Sequence, residues 1–343
     1  MEYIKLSKVD ISNNVNNRVF IKFMLLDSEV RLQKDKVTKY IKLIMCDGEK
    51  RVDACKFGAT QDEIDSLVKG KVYQAAVDIK EYSKSSSGYS CCIYNFELVN
   101  DDPSDYVAWV DGVTEAHKII QNALNFLDSG IYKKLVYSII TSDWYAFATW
   151  SAASSVHHDL LGGLIVHTAE VVVIANKIAD YWKGVYGEKF IDKHLVTAGA
   201  LLHDIGKLKE LKVDTVSGST EYSTEASLEN HVTLGVDMIT RKAMEMHYGE
   251  QDEANSKPEE LILAEQEALT LLKHCVYSHH GRTEWGAAIE PHCPEASIIH
   301  LADVNSAEMF RYNRAFKDMQ PGTSTTAWIN GQMTVTYKQI IKR

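Results

Sequence analysis

Seven residues have the types and order to hold a pair of divalent cations: His167, His203, Asp204, His231, His279, His280 and Asp303. The centre of this set is the stretch Leu201-Leu202-His203-Asp204-Ile205-Gly206-Lys207, an apolar run that delivers an imidazole and a carboxylate side by side. Neighbouring side chains on a helix diverge by about 100°. His203 and Asp204 therefore face different directions, and Asp204, with two oxygens, could bridge two cations. Gly206 is expected to take the left-handed conformation that ends helices, leaving Lys207 free to reach an anion beside the metals. Five imidazoles and two carboxylates without a cysteine suit Mn²⁺, Fe²⁺, Mg²⁺ or Zn²⁺ better than a structural thiolate zinc. Two such ions can clamp a phosphoryl group and activate water for in-line displacement. Lys207 could balance charge on a non-bridging oxygen, so Asp204 and Lys207 are the catalytic candidates.

These donors need helices to carry them, and the pattern beyond residue 105 supplies helices. Apolar residues recur at three-to-four spacing over 106–128 and 131–142, with a shorter piece over 144–154. Gly162-Gly163 suits a tight entry to a nearly all-apolar helix over 167–186, and it could bring His157 and His158 to the pocket. Further helices are expected over 232–247 and from Glu260 to Ser278. Ile298-Ile299-His300-Leu301-Ala302-Asp303 brings the last carboxylate after an apolar run. Residues 213–227 read as a polar loop, and the acidic stretch 250–260 as a solvated connection.

Residues 1–100 read as strands over 19–26, 40–46, 51–57, 72–79 and 90–96, with a short helix over 61–68 between the third and fourth. Asp47-Gly48 is a hairpin turn. Five strands in this order predict an OB-type barrel, with 83–88 as a mobile loop. Phe57, Tyr73, Tyr82, Tyr89 and Tyr94 could stack on bases, with Lys56, Lys80 and Lys84 near a phosphate backbone; filling the barrel is the alternative role for each aromatic. Asp101-Asp102-Pro103-Ser104-Asp105 is a turn-rich boundary, and Asn330-Gly331 marks a closing hairpin.

The 343 residues allow two or three domains. A net charge of −10 argues against coating nucleic acid by bulk electrostatics. The charge is uneven: residues 1–100 hold 16 Lys+Arg against 14 Asp+Glu, the rest 21 against 33. Acidity thus lies with the proposed cation site, and the near-neutral N-terminal part is better placed to meet a polyanion. Cys46, Cys55, Cys91, Cys92, Cys275 and Cys293 form no C-x-x-C pair, which suits a reducing cytoplasm. No signal peptide is evident, and no apolar run approaches the ~20 residues of a membrane helix.

The runs HHDLLGGLIVHT, GALLHDIGK, NHVTLG, SHHG with Glu284, Gly286 and PEA at 294–296, and LADVNSAEM resemble, in order, the YhaM-type 3′–5′ exoribonucleases. The likeness covers most of the chain, including the N-terminal barrel and the segment around Trp328. It implies an α+β multidomain chain: an OB-type barrel over 1–100, a helical linking region over 101–150, an all-α HD phosphohydrolase bundle over 151–320 and a closing hairpin over 321–343.

The resemblance also implies that His203, Asp204, His167 and Asp303 hold one ion and Asp204, His231, His279 and His280 the other, usually Mn²⁺. It implies hydrolysis of single-stranded RNA from the 3′ end to nucleoside 5′-monophosphates, with DNA as a further substrate. His157, His158, Lys207, Arg282, Lys56, Phe57 and Tyr82 are the candidate substrate contacts. The chain departs from the pattern near His292 and Arg282 and in the acidic 250–260 stretch, which bears on substrate choice. A phosphodiesterase for cyclic or short oligonucleotides and a nucleic-acid-binding protein with an inactive site are the rival readings. No membrane partner is expected; assembly with further copies of the chain is open.

Overall fold

The structure is a computed structural model, and it describes residues 3–9, 12–49, 51–81, 89–127, 130–153, 158–215, 218–251, 256–317 and 319. The chain forms two compact units, one of residues 1–109, 213–219 and 311–343 and the other of 110–212 and 220–310, so the tip of one hairpin and the end of the last helix group with the first. The expected loop at 83–88 and the closing hairpin after 321 lie outside the described residues.

The first unit is a closed barrel with strands β1 (Ile4–Lys5), β2 (Arg18–Leu32), β3 (Lys39–Cys46), β4 (Arg51–Phe57), β5 (Val72–Glu81) and β6 (Tyr89–Leu98). Pairing runs β2-β3-β4-β6-β5 and returns from β5 to β2, while β1 lies parallel to β2. Closure depends on the 15-residue β2. Its residues 18–24 pair antiparallel with β5, and residues 24–32 pair with β3. A register shift between Leu25 and Asp27 bends the strand from one seam to the other. β2 is longer than its apolar run because the polar Asp27–Arg31 continues along β3.

Side chains alternate across a strand with period two. Ile21, Phe23 and Leu25, then Ile41, Leu43 and Met45, then Tyr73, Ala75, Val77 and Ile79 thus fill the barrel. Between β4 and β5, α1 (Gln61–Asp65) begins with a capping box in which Thr60 and Glu63 satisfy each other's backbone N–H groups. α1 ends earlier than expected. The Tyr73 hydroxyl takes over the following turn, donating to Ser66 O and accepting from Val68 N. Tyr73 is therefore a barrel residue, 1% exposed, and no base-stacking surface. This is the five-stranded OB arrangement.

The second unit is helical: α2 (Val113–Phe126), α3 (Ile131–Ser142), α4 (Trp144–Thr149), α5 (Gly163–Tyr186), α6 (Lys193–Leu202), α7 (Lys207–Glu210), α8 (His231–Glu245), α9 (Glu259–Ser278) and α10 (Pro294–Lys317). α2–α4, expected as a linking region, bury Ile120, Leu135, Ile139 and Phe147 in the same core as α5 and α6. Within 213–227, expected as a loop, β7 (Leu211–Asp214) and β8 (Ser219–Tyr222) pair as a hairpin. α5 begins four residues before the predicted His167, because Leu164, Ile165 and Val166 are buried in its first turn. Its entry needs both glycines. Gly162 has φ +73°, and a Cβ on Gly163 would lie 1.9 Å from His158 O.

Candidate metal centre

Five helix segments bring the seven predicted donors to one place around Asp204. His167 sits on the first turns of α5, and His203 and Asp204 follow the last turn of α6. His231 opens α8 behind an Asn230 cap, His279 and His280 follow α9, and Asp303 lies in α10. His167 Nε2 is 3.4 Å from Asp204 Oδ2 and 3.1 Å from Asp303 Oδ1. His203 Nε2 is 3.4 Å from Asp204 Oδ2. On the other side of the carboxylate, His231 Nε2 and His279 Nε2 lie 3.6 and 3.7 Å from Asp204 Oδ1. The ligand atoms form two compact groups, His167–His203–Asp204 and His231–His279–His280. Lys207 Nζ contacts Asp204 Oδ2 at 2.6 Å.

The rings are oriented from behind. His203 Nδ1–H donates to Ala200 O at 2.8 Å, and His279 Nδ1–H to Val276 O at 2.7 Å. His231 Nδ1 faces the Glu210 carboxylate at 3.0 Å. His167 Nδ1–H donates to Ser306 Oγ, and the Ser306 hydroxyl donates onward to Glu170 at 2.6 Å. These partners fix the tautomer and aim each Nε2 lone pair inward. Ser306, Glu170 and Glu210 were not picked out from sequence. Their signal is spacing: Glu170 and Ser306 stand three residues after His167 and Asp303, on the same helix faces, and Glu210 stands three after Lys207.

The inward-facing ring nitrogens also meet each other. The Nε2 atoms of His167 and His203 are 3.2 Å apart, as are those of His231 and His280. His279 Nε2 and His280 Nδ1 are buried without a hydrogen-bond partner. Such atoms are costly in an interior unless a proton or cation lies between them. With two acidic oxygens and no thiol, the donor set fits divalent cations.

Electrostatics point the same way. Burial opposes a charge on Asp204, but Lys207, His203 and His167 hold its carboxyl well below the ordinary range. Asp303 is also lowered, His167 and His203 outweighing burial. Burial likewise opposes a proton on His167, yet Asp204 and Asp303 push it up to about 9. Burial and the neighbouring His280 and His203 hold His279 well below 6.5, and burial with His231 lowers His280. The cluster thus keeps both carboxylates ionised and His279 and His280 neutral, the states a cation requires, while His167 in the metal-free cluster holds a proton that a cation must displace.

Gly206 corrects the sequence expectation. Its φ is −64°, ordinary right-handed backbone, not the left-handed cap. Its smallness serves close approach: a Cβ there would lie 1.9 Å from His231 O and 2.6 Å from Gly235 N. This packs the turn bearing Asp204 against the start of α8.

The predicted substrate contacts divide. His158 is fully buried, its Nε2 3.3 Å from Glu170 and its ring centroid 5.1 Å from that of His167. Arg282 is exposed, stacked over Trp285 and 3.3 Å from Glu284. Phe57 and Lys56 belong to the barrel unit. Phe57 is 51% exposed and stacks on Tyr40, as expected of a surface aromatic. Lys56 is only 9% exposed and pairs with Glu63 at 3.2 Å, so its ammonium already has a partner. His157 and Tyr82 lie outside the described residues.

A helical bundle with this His–Asp cluster is of the HD class, and the HD domain family model matches residues 164–308. The 3′–5′ exoribonuclease YhaM of Oceanobacillus iheyensis is 28% identical over 312 residues, 88% of either chain. The YhaM proteins of Bacillus velezensis and Bacillus subtilis are 34% and 33% identical over 179 residues, spanning 52% of this chain and about half (49%) of theirs. Among solved structures, the second OB-fold domain of replication protein A from Methanococcus maripaludis is 13% identical, with a TM-score of 0.23 over 29% of this chain and 97% of that one. The chain is an HD-domain enzyme, and over most of its length it is similar to the YhaM-type exoribonucleases.

Proposed function

We infer that this chain is a metal-dependent 3′–5′ exoribonuclease, hydrolysing single-stranded RNA to nucleoside 5′-monophosphates at a two-metal centre. The observation that carries this reading is the convergence on Asp204 of five imidazoles and Asp303 from helices spread over more than a hundred positions. The names of the relatives supply the substrate class and polarity. His167, His203, Asp204 and Asp303 would hold one ion, and Asp204, His231, His279 and His280 the other, with Mn²⁺ first among the candidates. Bound there, divalent ions supply the Lewis acidity that neutralises a phosphodiester and activates the attacking water.

The chain's own residues prepare that site. Asp204 presents one oxygen to each donor group. Lys207, nearly buried against it, provides fixed positive charge close to where a phosphate must sit. Glu210 and the Ser306–Glu170 pair hold His231 and His167 in one tautomer. Phe57 offers the barrel a face on which a base can stack. Among the described residues no helix is long and apolar enough to cross a membrane.

The test is to incubate manganese-loaded protein with 5′-end-labelled RNA, single-stranded DNA and cyclic dinucleotides. A ladder shortening by one nucleotide from the RNA 3′ end is expected. Cleavage confined to cyclic dinucleotides would overturn the exonuclease reading.

A further inference from the structure

A large exposed aromatic, Trp285, sits beside the metal centre and has no part in the proposed function. His280 is followed by a tight loop: Gly281 at φ +79°, a 3₁₀ turn over Thr283–Trp285, and Gly286 at φ +98°. Backbone hydrogen bonds pin this loop at each step. Arg282 N–H donates to His280 O at 3.0 Å, Trp285 N–H and Ala287 N–H donate to Arg282 O at 3.0 and 3.1 Å, and Ala288 N–H donates to Tyr277 O at 2.9 Å. A Cβ on Gly286 would lie 3.1 Å from His280 Nδ1. The loop is thus folded onto a candidate ligand, and its glycine permits both the positive φ and the close approach.

This backbone fixes the position of the indole and leaves its surface open. Trp285 is 55% exposed. The Arg282 guanidinium lies over the ring, 5.0 Å from its centroid, and the His300 ring is 6.2 Å away at a tilt of 33°. Both neighbours are tied to the centre. Arg282 stands two residues after His280, and His300 stands three before Asp303 with its Nδ1–H donating to His279 O at 2.8 Å. Trp182 and Tyr186, also exposed, differ: they stack on each other at 5.5 Å, fifteen or more residues along α5 from His167.

A rigidly held, half-exposed indole with a cation over its ring matches the two features of a nucleotide, a flat base and an anionic phosphate. Glu284 is 3.3 Å from Arg282, but both side chains are exposed, and so weak a pair yields to a phosphate.

We propose that Trp285 is the platform on which the base of the 3′-terminal nucleotide stacks, bracketed by Arg282, so that the terminal phosphodiester lies at the metal centre. This rests on the two-metal phosphodiesterase reading above and adds a base-binding residue to it. Every base has a π-face, so such a platform accepts successive nucleotides of any sequence. Trp285 acts in binding, and its loss raises KM more than it lowers kcat.

The experiment titrates manganese-loaded protein with adenosine 5′-monophosphate and with ribose 5-phosphate, which keeps sugar and phosphate and lacks the base. Calorimetry of the wild type should show the nucleotide bound about five- to a hundredfold more tightly, the worth of one stacked base. Trp285→Ala should bring that ratio close to one, and Trp285→Phe should keep most of it. A second readout is indole fluorescence. The nucleotide, and not ribose 5-phosphate, should quench it in the wild type, and Trp285→Phe should lose the quenching. A wild-type ratio of one, or an unchanged ratio in Trp285→Ala, overturns the proposal. If the nucleotide is preferred through Trp285 but RNA gives no 3′ ladder, the exonuclease reading falls and the base platform stands. A ladder with an unchanged ratio does the reverse.

Discussion

His167 and Ser306, 139 residues apart, are joined by a buried hydrogen bond of 2.9 Å, and the Ser306 hydroxyl donates a hydrogen bond of its own to Glu170. One candidate ligand is thereby oriented by the helix that also carries another, Asp303. Ser306→Ala removes the acceptor and leaves His167 Nδ1 buried and unsatisfied. Loss of such a supporting contact weakens metal binding about 10- to 100-fold. Metal titration of Ser306→Ala should show that loss, with hydrolysis recovered at high metal concentration. Unchanged affinity would show that the chain His167–Ser306–Glu170 only packs the helices.

Asp204→Asn keeps the shape of the central side chain and removes its charge. Metal content should fall at both groups, and RNA hydrolysis should drop at least about a hundredfold, the scale for losing one electrostatic partner of a transition state. Elemental analysis beside single-turnover kinetics checks both. Normal metal content in the variant would mean that Asp204 does not join the two groups.

Gly206→Ala should destabilise the protein by about 1–3 kcal/mol, because the added methyl must push α8 from the turn bearing Asp204. Gly184→Ala is the control. Gly184 lies in α5 with nothing within 4 Å of an added Cβ, so relief of the glycine penalty should be neutral or stabilise by about 0.5–1 kcal/mol. Denaturant melts of the two variants should move apart. Equal shifts would contradict the close approach.

For the chelator-treated protein, His167 sets an alkaline limb of stability. Its pKa rises from 6.5 unfolded to about 9 folded. Its contribution is therefore fully present below pH 6.5 and is lost as pH climbs to about 9. His279 and His280 have the opposite sign: their pKa values are lowered, so their contribution is present above 6.5 and is lost as pH falls. Melting temperature without metal should decline between pH 6.5 and 9, and His167→Asn should flatten that decline. Metal affinity should instead rise over the same range, since protons compete for the donors.

Phe57 and Tyr73 should separate binding from stability. Phe57→Ala removes an exposed ring and should weaken single-stranded RNA binding by roughly five- to a hundredfold, the worth of one stacked base, with no change in melting. Tyr73→Phe strands the Val68 N–H and should cost about 1–3 kcal/mol without changing RNA affinity. Fluorescence anisotropy and thermal melts on both variants distinguish these outcomes.

The barrel was legible because its strands alternate cleanly and Asp47-Gly48 punctuates them; for Tyr73 the sequence left base stacking beside barrel packing, since its hydroxyl gives no sign there of the turn it joins. The pair His203 and Asp204 is a weak signal alone, and could be read as donors because His231, His279, His280 and Asp303 follow in order downstream. The supporting residues could not, since a serine or glutamate on a helix has many duller uses until the facing helix is known. Gly206 was misread for a related reason: sequence shows that a residue is small, and only the packing of α8 shows whether that serves backbone freedom or proximity. Lys56 looked available for phosphate until α1 placed Glu63 beside it.

The bent β2 has a consequence for synthesis. Its first half waits for β5, about fifty to sixty residues further along the chain, so a ribosome that has released only the first 70 residues exposes a strand with one seam satisfied and a seven-residue seam still unpaired. Contacts at such separation form late, and nascent chains stalled before Val72 are the ones that should associate with each other through that idle rim.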